Sequence, residues 1–457
     1  MFRIFRHYIS TRLILVLAGD LAILLGAVWF AGQQFGWIGD GPIPPKAIGL
    51  AITSTFIFYL ADLYNLQLRL SKRELVLRVI LGTAISGTLF AAIGYALPPL
   101  RFGRKAYFFL IGTSALGLMV LRTLHATLGE NSKLKRRVLV LGTSMAREIV
   151  AEEAQNGHIP FSILGFLDDR PDAADQIPGG YPFLGKTKDL LSVVEDLHPD
   201  IVVVALTDMR GSFPVKEILE CRFHGIRVEE WTTFYEKLTG KVFVASLRPS
   251  WLIFSDGFVK TRLTETIKRS LDVALSALGL LLSAPIIGLV ALAIKLESPG
   301  PILFRQVRVG KDGRPFVLKK FRSMRADAEQ ITGPVWATAD DPRVTRVGKW
   351  LRKTRLDELP QMVNVLLGEM SFIGPRPERP VFVNQLRELI PFYGQRFSVK
   401  PGITGWAQVR YRYGSNVEDA MEKLQYDLYY IKNLSVFLDL LILLNSIQVV
   451  LFGRGAR

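Results

Sequence analysis

The chain has 457 residues, too many for one ordinary domain, and 49% of them are hydrophobic, so part of it belongs in lipid. The formal net charge of +16 suits anionic partners such as lipid headgroups or phosphorylated substrates, and no nucleic-acid motif accompanies it. The single cysteine, Cys221, excludes an internal disulfide, and the scattered His7, His125, His158, His198 and His224 exclude a paired zinc site, which leaves oxygen-ligand metals such as magnesium.

Four apolar stretches fill the first 125 residues, at 13–31, 47–63, 76–97 and 106–124. Each is near the length that crosses a hydrocarbon core of about 30 Å. Asp20 lies inside the first and Asp62 closes the second; an acid in that setting serves either function or helix–helix hydrogen bonding. Basic residues set the orientation. Arg3, Arg6 and Arg12 precede the first stretch, Arg69, Lys72, Arg73 and Arg78 separate the second from the third, and Lys133, Lys135, Arg136 and Arg137 follow the fourth. All fall on one side if both ends of the bundle are cytoplasmic. Arg101, Arg104 and Lys105 dissent.

From residue 137 to about 256 the composition is that of an α/β domain. Residues 138–141 read as a buried strand followed by a turn at Gly142, and 163–169 and 201–206 are further strand-like runs separated by helical segments, so a parallel sheet is expected. Gly142 would let a phosphate approach a helix N-terminus, and Asp168 or Asp169 could meet a ribose, but the full G-x-G-x-x-G is missing. The domain reads as a scaffold or regulatory unit before it reads as a nucleotide site.

The third unit opens at Lys268-Arg269-x-x-Asp272. An apolar run follows at 273–294, interrupted by Pro285, which removes a helix hydrogen bond. Lys268 and Arg269 flank one end of the run, Lys295 and Arg305 the other. Charge at both ends favours one shared face, so the run is expected to enter the membrane and turn back as a helical hairpin. Residues 302–309 and 315–321 then read as a β-hairpin closed by Lys311-Asp312-Gly313. The last apolar run, 436–452, carries Asp439, Asn445 and Gln448 and suits the membrane surface.

The chemistry concentrates at Asp357-Glu358-Leu-Pro360-Gln361. Pro360 suits the first turn of a helix running on through Leu367, which would put Asp357 at its N-terminus, keep both carboxylates ionised and attract phosphate oxygens. One carboxylate can attack phosphorus while its neighbour holds a cation. An isolated Asp-Glu pair is usually only a cap. Here basic residues surround it: Arg352 and Arg355 before it, Lys319, Lys320 and Arg322 at the end of the hairpin, and Arg376 and Arg379 on the proline-stiffened loop Gly374-Pro-Arg-Pro-Glu-Arg379. Arginine forks suit bidentate phosphate binding, and phosphoryl transfer asks mostly for positioning and charge neutralisation. Trp406 would support a sugar or base by stacking, or else sit in a core.

Taken in order, these segments continue with Glu297-Ser-Pro-Gly-Pro301, Arg305-x-x-Arg308-x-Gly310, Lys320-Phe-Arg-Ser-Met324, Asp341-Pro-Arg343-x-Thr345-x-x-Gly348, Gly368-x-Met-Ser371 and Lys400-Pro-Gly-Ile-Thr-Gly405. The set from Lys268 onward resembles the bacterial sugar transferase family, the polyprenyl-phosphate hexose-1-phosphate transferases, and the bundle with its α/β domain resembles the large four-span members. Over its whole length the chain resembles the EpsB-type exopolysaccharide transferases. The resemblance implies transfer of a sugar-1-phosphate from a nucleotide diphosphate sugar, with uridine as the base, to undecaprenyl phosphate through an aspartyl-phosphosugar intermediate, starting exopolysaccharide or O-antigen repeat units. It implies Asp357 as nucleophile, Glu358 as a ligand of Mg²⁺, and Arg352 and Arg376 as phosphate-binding arginines. The family places Ser-Pro at its helix break, whereas Ser283-Ala-Pro285 stands here.

The fold expected is therefore a multi-domain protein of the bacterial inner membrane: a four-helix transmembrane bundle at 1–130, a Rossmann-like α/β cytoplasmic domain at 131–256, and an α/β phosphoglycosyl transferase domain at 262–457 on a re-entrant helix at 270–297. Its partners would be a nucleotide diphosphate sugar, polyprenyl phosphate and membrane lipid, and the bundle admits a homodimer. Two other readings compete. One is an oxidoreductase or epimerase of nucleotide sugars using the α/β domain, weakened by the degenerate glycine turn. The other is a non-enzymatic assembly or regulatory protein of polysaccharide export.

Overall fold

A computed structural model describes residues 2–4, 7–9, 11–36, 45–64, 72–129, 135–155, 161–178, 180–206, 213–247, 249–255, 257–258, 260–325, 328, 341–411 and 416–452. Arg6, Arg69, Lys133 and His158, named above, lie outside the described residues. The chain divides into two compact units at Thr239/Gly240.

In the first unit the apolar stretches form helices Thr11–Gln34, Pro45–Leu60, Lys72–Ala96 and Arg104–Gly129. The first, third and fourth are long and apolar enough to cross a membrane. The second is shorter than the sequence suggests: it ends at Leu60, where Asp62 turns left-handed (φ 60°), and its 16 residues span about 24 Å. Asp20 is fully buried and paired with the Arg122 guanidinium, which also donates to Leu63 O and stacks on Tyr64. Asp20 therefore joins the first and fourth helices, the expected way to tolerate an acid in that setting.

The α/β part carries five parallel strands among the described residues, in the order Phe183–Gly185, Phe161–Leu167, Arg136–Leu141, Ile201–Val204, Arg227–Glu230. The central strands are apolar and buried over Val138–Leu141 and Ile201–Val204, as a sheet covered on both faces requires. The turn after Leu141 needs glycine, because Gly142 has φ +101° and a Cβ there would meet Ala205 O at 2.6 Å. Neither aspartate proposed for a ribose is free. Asp168 accepts from Thr143 N at 2.7 Å and from Arg170 Nη2 at 2.8 Å, and Asp169 accepts from Thr187 N at 3.0 Å.

The second unit starts earlier than the composition suggests, because Val242 and Val244 join its core and Lys241 pairs with Glu422 at 2.7 Å. One helix runs from Arg262 to Glu297 with Pro285 inside it. Pro285 is carried within this 36-residue helical segment. Residues on both sides of Pro285 pack on the same unit. Asp272 accepts from Ser371 Oγ at 3.0 Å and Phe372 N at 2.8 Å, Lys268 pairs with Asp439 at 2.8 Å, and Val290 and Ile294 enter a core with Phe321 and Leu351. Between these contacts Leu278, Leu281, Leu282 and Leu289 are exposed. The antiparallel hairpin Leu303–Val309 with Pro315–Phe321 turns at Asp312 (φ 57°) and Gly313 (φ 78°). Helices Arg346–Thr354, Gln361–Leu367, Pro380–Leu389, Val417–Lys432 and Val436–Phe452 and the short parallel pair Ser371–Ile373 with Gly402–Thr404 complete the unit.

Candidate active site

Helix Arg346–Thr354 begins at Thr345, whose hydroxyl accepts from Gly348 N at 2.9 Å, and ends where Arg355 turns left-handed (φ 57°). The reversed backbone throws the chain into a single 3₁₀ turn, Leu356–Glu358. Asp357 consequently stands four residues ahead of Gln361, the first residue of helix Gln361–Leu367, and does not cap it, contrary to the sequence expectation. Gly348 is required for a close approach: a Cβ there would come within 2.0 Å of Ser323 O, and Ser323, two residues past the hairpin, accepts on its hydroxyl from Arg352 Nε at 3.0 Å.

Both carboxylates are buried, at 8% and 9% exposure. Glu358 accepts from Arg376 Nη2 at 2.8 Å, with Arg355 Nη1 at 3.7 Å. Burial would raise its carboxyl, but Arg376 and Arg355 more than offset this and hold it low. Among the described residues no donor engages the Asp357 carboxylate. Burial and the neighbouring Glu358 charge push it up to about 6, against the pull of Lys320, Arg376 and Arg352. The pair is thus one acid held low and one raised, where the sequence alone suggested two ionised ones. Burial in turn pushes Lys320 down to about 8, against the stabilising charge of Asp357.

Beside this turn opens a cavity of about 1190 Å³. Eleven of its lining residues are arginine or lysine and one, Glu378, is acidic. Lys320, Arg322, Arg352, Arg376 and Arg379 all reach it, whereas Arg355, Asp357 and Glu358 do not themselves line it. Its other wall includes Leu280, Ile287 and Ala291 of the long helix, so a cationic chamber meets the apolar helix directly.

Some predicted site residues prove to be engaged elsewhere. Arg322 is 5% exposed, and its guanidinium bonds Pro299 O at 2.7 Å and Ser298 O at 2.8 Å, which ties the hairpin to the end of the long helix. Arg379 stacks over Phe382. Lys319 contributes its backbone, donating to Asn364 Oδ1 at 3.1 Å. Trp406 is core: it is 1% exposed, its indole donates to Gly240 O at 2.7 Å, and it stacks on Tyr429. Sequence reasoning missed Arg396. It lines the cavity, pairs with buried Asp427 at 2.9 Å, donates to Tyr393 OH at 2.6 Å and holds the backbone carbonyl of Arg376 at 3.0 Å. No local motif marks it, since its partners lie up to 31 residues away in the chain.

Comparison with known proteins bears on this geometry. The family profile described as bacterial sugar transferase matches residues 263–453, and one described as CoA-binding domain matches 59–221. The chain is 43% identical over 266 residues to a UDP-N-acetylgalactosamine-undecaprenyl-phosphate N-acetylgalactosaminephosphotransferase of Aeromonas hydrophila, covering 58% of this chain and 60% of that protein. It is 48% identical over 183 residues to the UDP-glucose:undecaprenyl-phosphate glucose-1-phosphate transferase of Escherichia coli K12, covering 40% of this chain and 39% of that one. An exopolysaccharide production protein, PSS, of Rhizobium leguminosarum is 42% identical over 195 residues, 41% of this chain and 98% of its own length. The chain belongs to the bacterial sugar transferase family. It spans 60% or less of the length of the first two of these relatives. The sugar transferase match falls within the second unit, in a membrane protein with several long apolar helices. In the α/β part, Ser144 Oγ donates to Ala205 O at 2.8 Å across the point where strand order reverses, and Thr143 and Arg170 saturate Asp168.

Proposed function

We propose that the protein transfers a sugar-1-phosphate from a UDP-sugar to undecaprenyl phosphate, and so starts a polysaccharide repeat unit. The observation that carries this reading is Asp357: a buried carboxylate with no hydrogen-bond donor among the described residues, poised near 6, among Lys320, Arg352 and Arg376 beside a cationic cavity. Ionised Asp357 attacks the phosphorus that bears the sugar. The pyrophosphate P–O bond breaks, UMP leaves, and an acyl-phosphate links Asp357 to the phosphosugar. A phosphate oxygen of the polyprenyl phosphate then attacks the same phosphorus. The acyl-phosphate bond breaks, the carboxylate is restored and the lipid pyrophosphoryl sugar departs. Lys320, Arg352 and Arg376 neutralise the charge that develops on the transferred group. Glu358 fixes Arg376, and Arg396 fixes that loop from behind.

A divalent cation, Mg²⁺, suits the donor set. Such an ion needs only one or two carboxylates besides substrate phosphates, and Glu358 keeps one oxygen beyond the one Arg376 takes, while Asp357 keeps both. Among the described residues no three acids, histidines or cysteines gather to form a closed site. When bound, the ion would neutralise the donor's pyrophosphate.

We place the sugar transferase domain on the cytoplasmic face of the inner membrane, with the long helix entering and leaving lipid on that face. Support comes from the contacts of Asp272 and Ile294 with one compact unit, since a helix crossing between them would put the two sides of that unit across a bilayer. The first 130 residues form the transmembrane bundle, and the α/β part is scaffold. The reading is tested with radiolabelled UDP-sugars and undecaprenyl phosphate, scored by UMP release and by label retained on the protein. Wild type should retain phosphosugar and Asp357→Asn should not. Turnover by Asp357→Asn would favour a non-enzymatic role for the charged loop.

A further inference from the structure

We propose that the exposed face of helix Arg346–Thr354 docks on anionic phospholipid headgroups. The proposal goes beyond the transfer reaction and rests on the long helix lying in lipid. The helix has distinct faces. Val347 and Leu351 pack into the core formed with Val290 and Ile294, and Val347 N donates to Glu297 Oε1 at 3.0 Å. Arg352 turns to Ser323 and the cavity. Arg346, Lys349, Trp350 and Lys353, at spacings of three, four and seven, share what remains, and all four are exposed.

Three cations alone would be an ordinary solvated face. A tryptophan among them, 53% exposed and without an acid in the helix to balance the charge, is the composition that settles at the headgroup level. Depth agrees with composition. The helix meets the long helix at residues 290–297, where the apolar run ends and where Leu292 and Leu296 are 56% and 78% exposed. A bilayer that covers those leucines brings its headgroups to Lys349, Trp350 and Lys353. Each cation near an anionic surface is worth about a fivefold gain in local partition. Docking holds the turn that follows, with Asp357, at the depth of a lipid phosphate.

The test uses the full chain in nanodiscs of phosphatidylcholine alone or mixed with phosphatidylglycerol. In a Cys221→Ser background, a single cysteine at Trp350→Cys carries an environment-sensitive fluorophore, and Leu281→Cys in the long helix serves as the depth control. The expected result is a blue-shifted 350 label, quenched by headgroup-proximal spin-labelled lipid in the phosphatidylglycerol discs. Salt should reverse the effect, as should Lys349→Glu with Lys353→Glu. The 281 label should be quenched in every disc. A water-like 350 label with a quenched 281 label overturns the proposal and leaves the transferase reading standing. Equal quenching at 350 with and without phosphatidylglycerol overturns the charge selectivity. An unquenched 281 label overturns the membrane placement on which both rest.

Discussion

Asp168 and Asp357 are both buried aspartates with arginines nearby, yet they face opposite electrostatic fates. Asp168, in the α/β part, would be raised by burial, but hydrogen bonds from Arg170 and Thr143 hold it at about 2. Burial first, and then the charge of Glu358, raise Asp357 to about 6, and among the described residues no donor engages it. The difference teaches that proximity to cations does not decide a carboxylate's role. Saturation does: a carboxylate whose lone pairs are all occupied is structural, and one surrounded by charge at a distance is free to react.

The largest test of this contrast is catalytic. Asp357→Asn should lower UMP release at least about 1000-fold, while Asp168→Asn should leave kcat unchanged. A comparable loss from Asp168→Asn would erase the distinction. Next comes Arg376→Ala, expected to cost about 100-fold in kcat, because it removes a guanidinium from the developing charge and frees Glu358. The pH profile is sharper though smaller in amplitude. kcat/KM should fall below about pH 6 as Asp357 protonates and above about pH 8 as Lys320 loses its charge. The substrate phosphate also titrates near 6. Glu358→Gln separates the two, since removing the neighbouring negative charge lowers the Asp357 limb and leaves the substrate's in place; an unmoved limb would assign it to the substrate.

Stability should move in opposite directions in the two regions. Asp168 is depressed, so its contribution is present above about pH 4 and falls away as the pH drops towards 2. Asp357 is raised, so its contribution is present below about pH 4 and is lost as the pH rises through 6. At pH 7 Asp168→Asn should therefore destabilise by about 2 kcal/mol. Asp357→Asn should raise the unfolding midpoint of its unit by about 2 °C, readable by urea or thermal denaturation.

Much of this was legible in the residues. The Asp-Gly turn marked the hairpin, and the clustering of Lys320, Arg352, Arg376 and Arg379 around one acidic pair was visible as motif content. What escaped depended on distance along the chain. Arg122 lies 102 residues from Asp20, and Trp406 meets Gly240 across 166, so neither pairing leaves a local trace. Burial escaped as well, and with it the rise of Asp357, because a carboxylate's depth is set by elements far away in sequence. Pro285 suggests a reversal because proline removes a helix hydrogen bond; the helical segment continues through it, with packing on either side.

Gly348 gives the last consequence. Its helix rests on Ser323 with no room for one more carbon, and that same short rod carries Arg352 towards the reactants and Trp350 away from them. A methyl group there would act as a wedge beneath a seesaw, tilting the phosphate grip and the outward tryptophan in a single movement. Misplacing a charge by about 1 Å can cost about 100-fold in rate. Chemistry and anchorage thus share one pivot, and neither can be retuned in isolation.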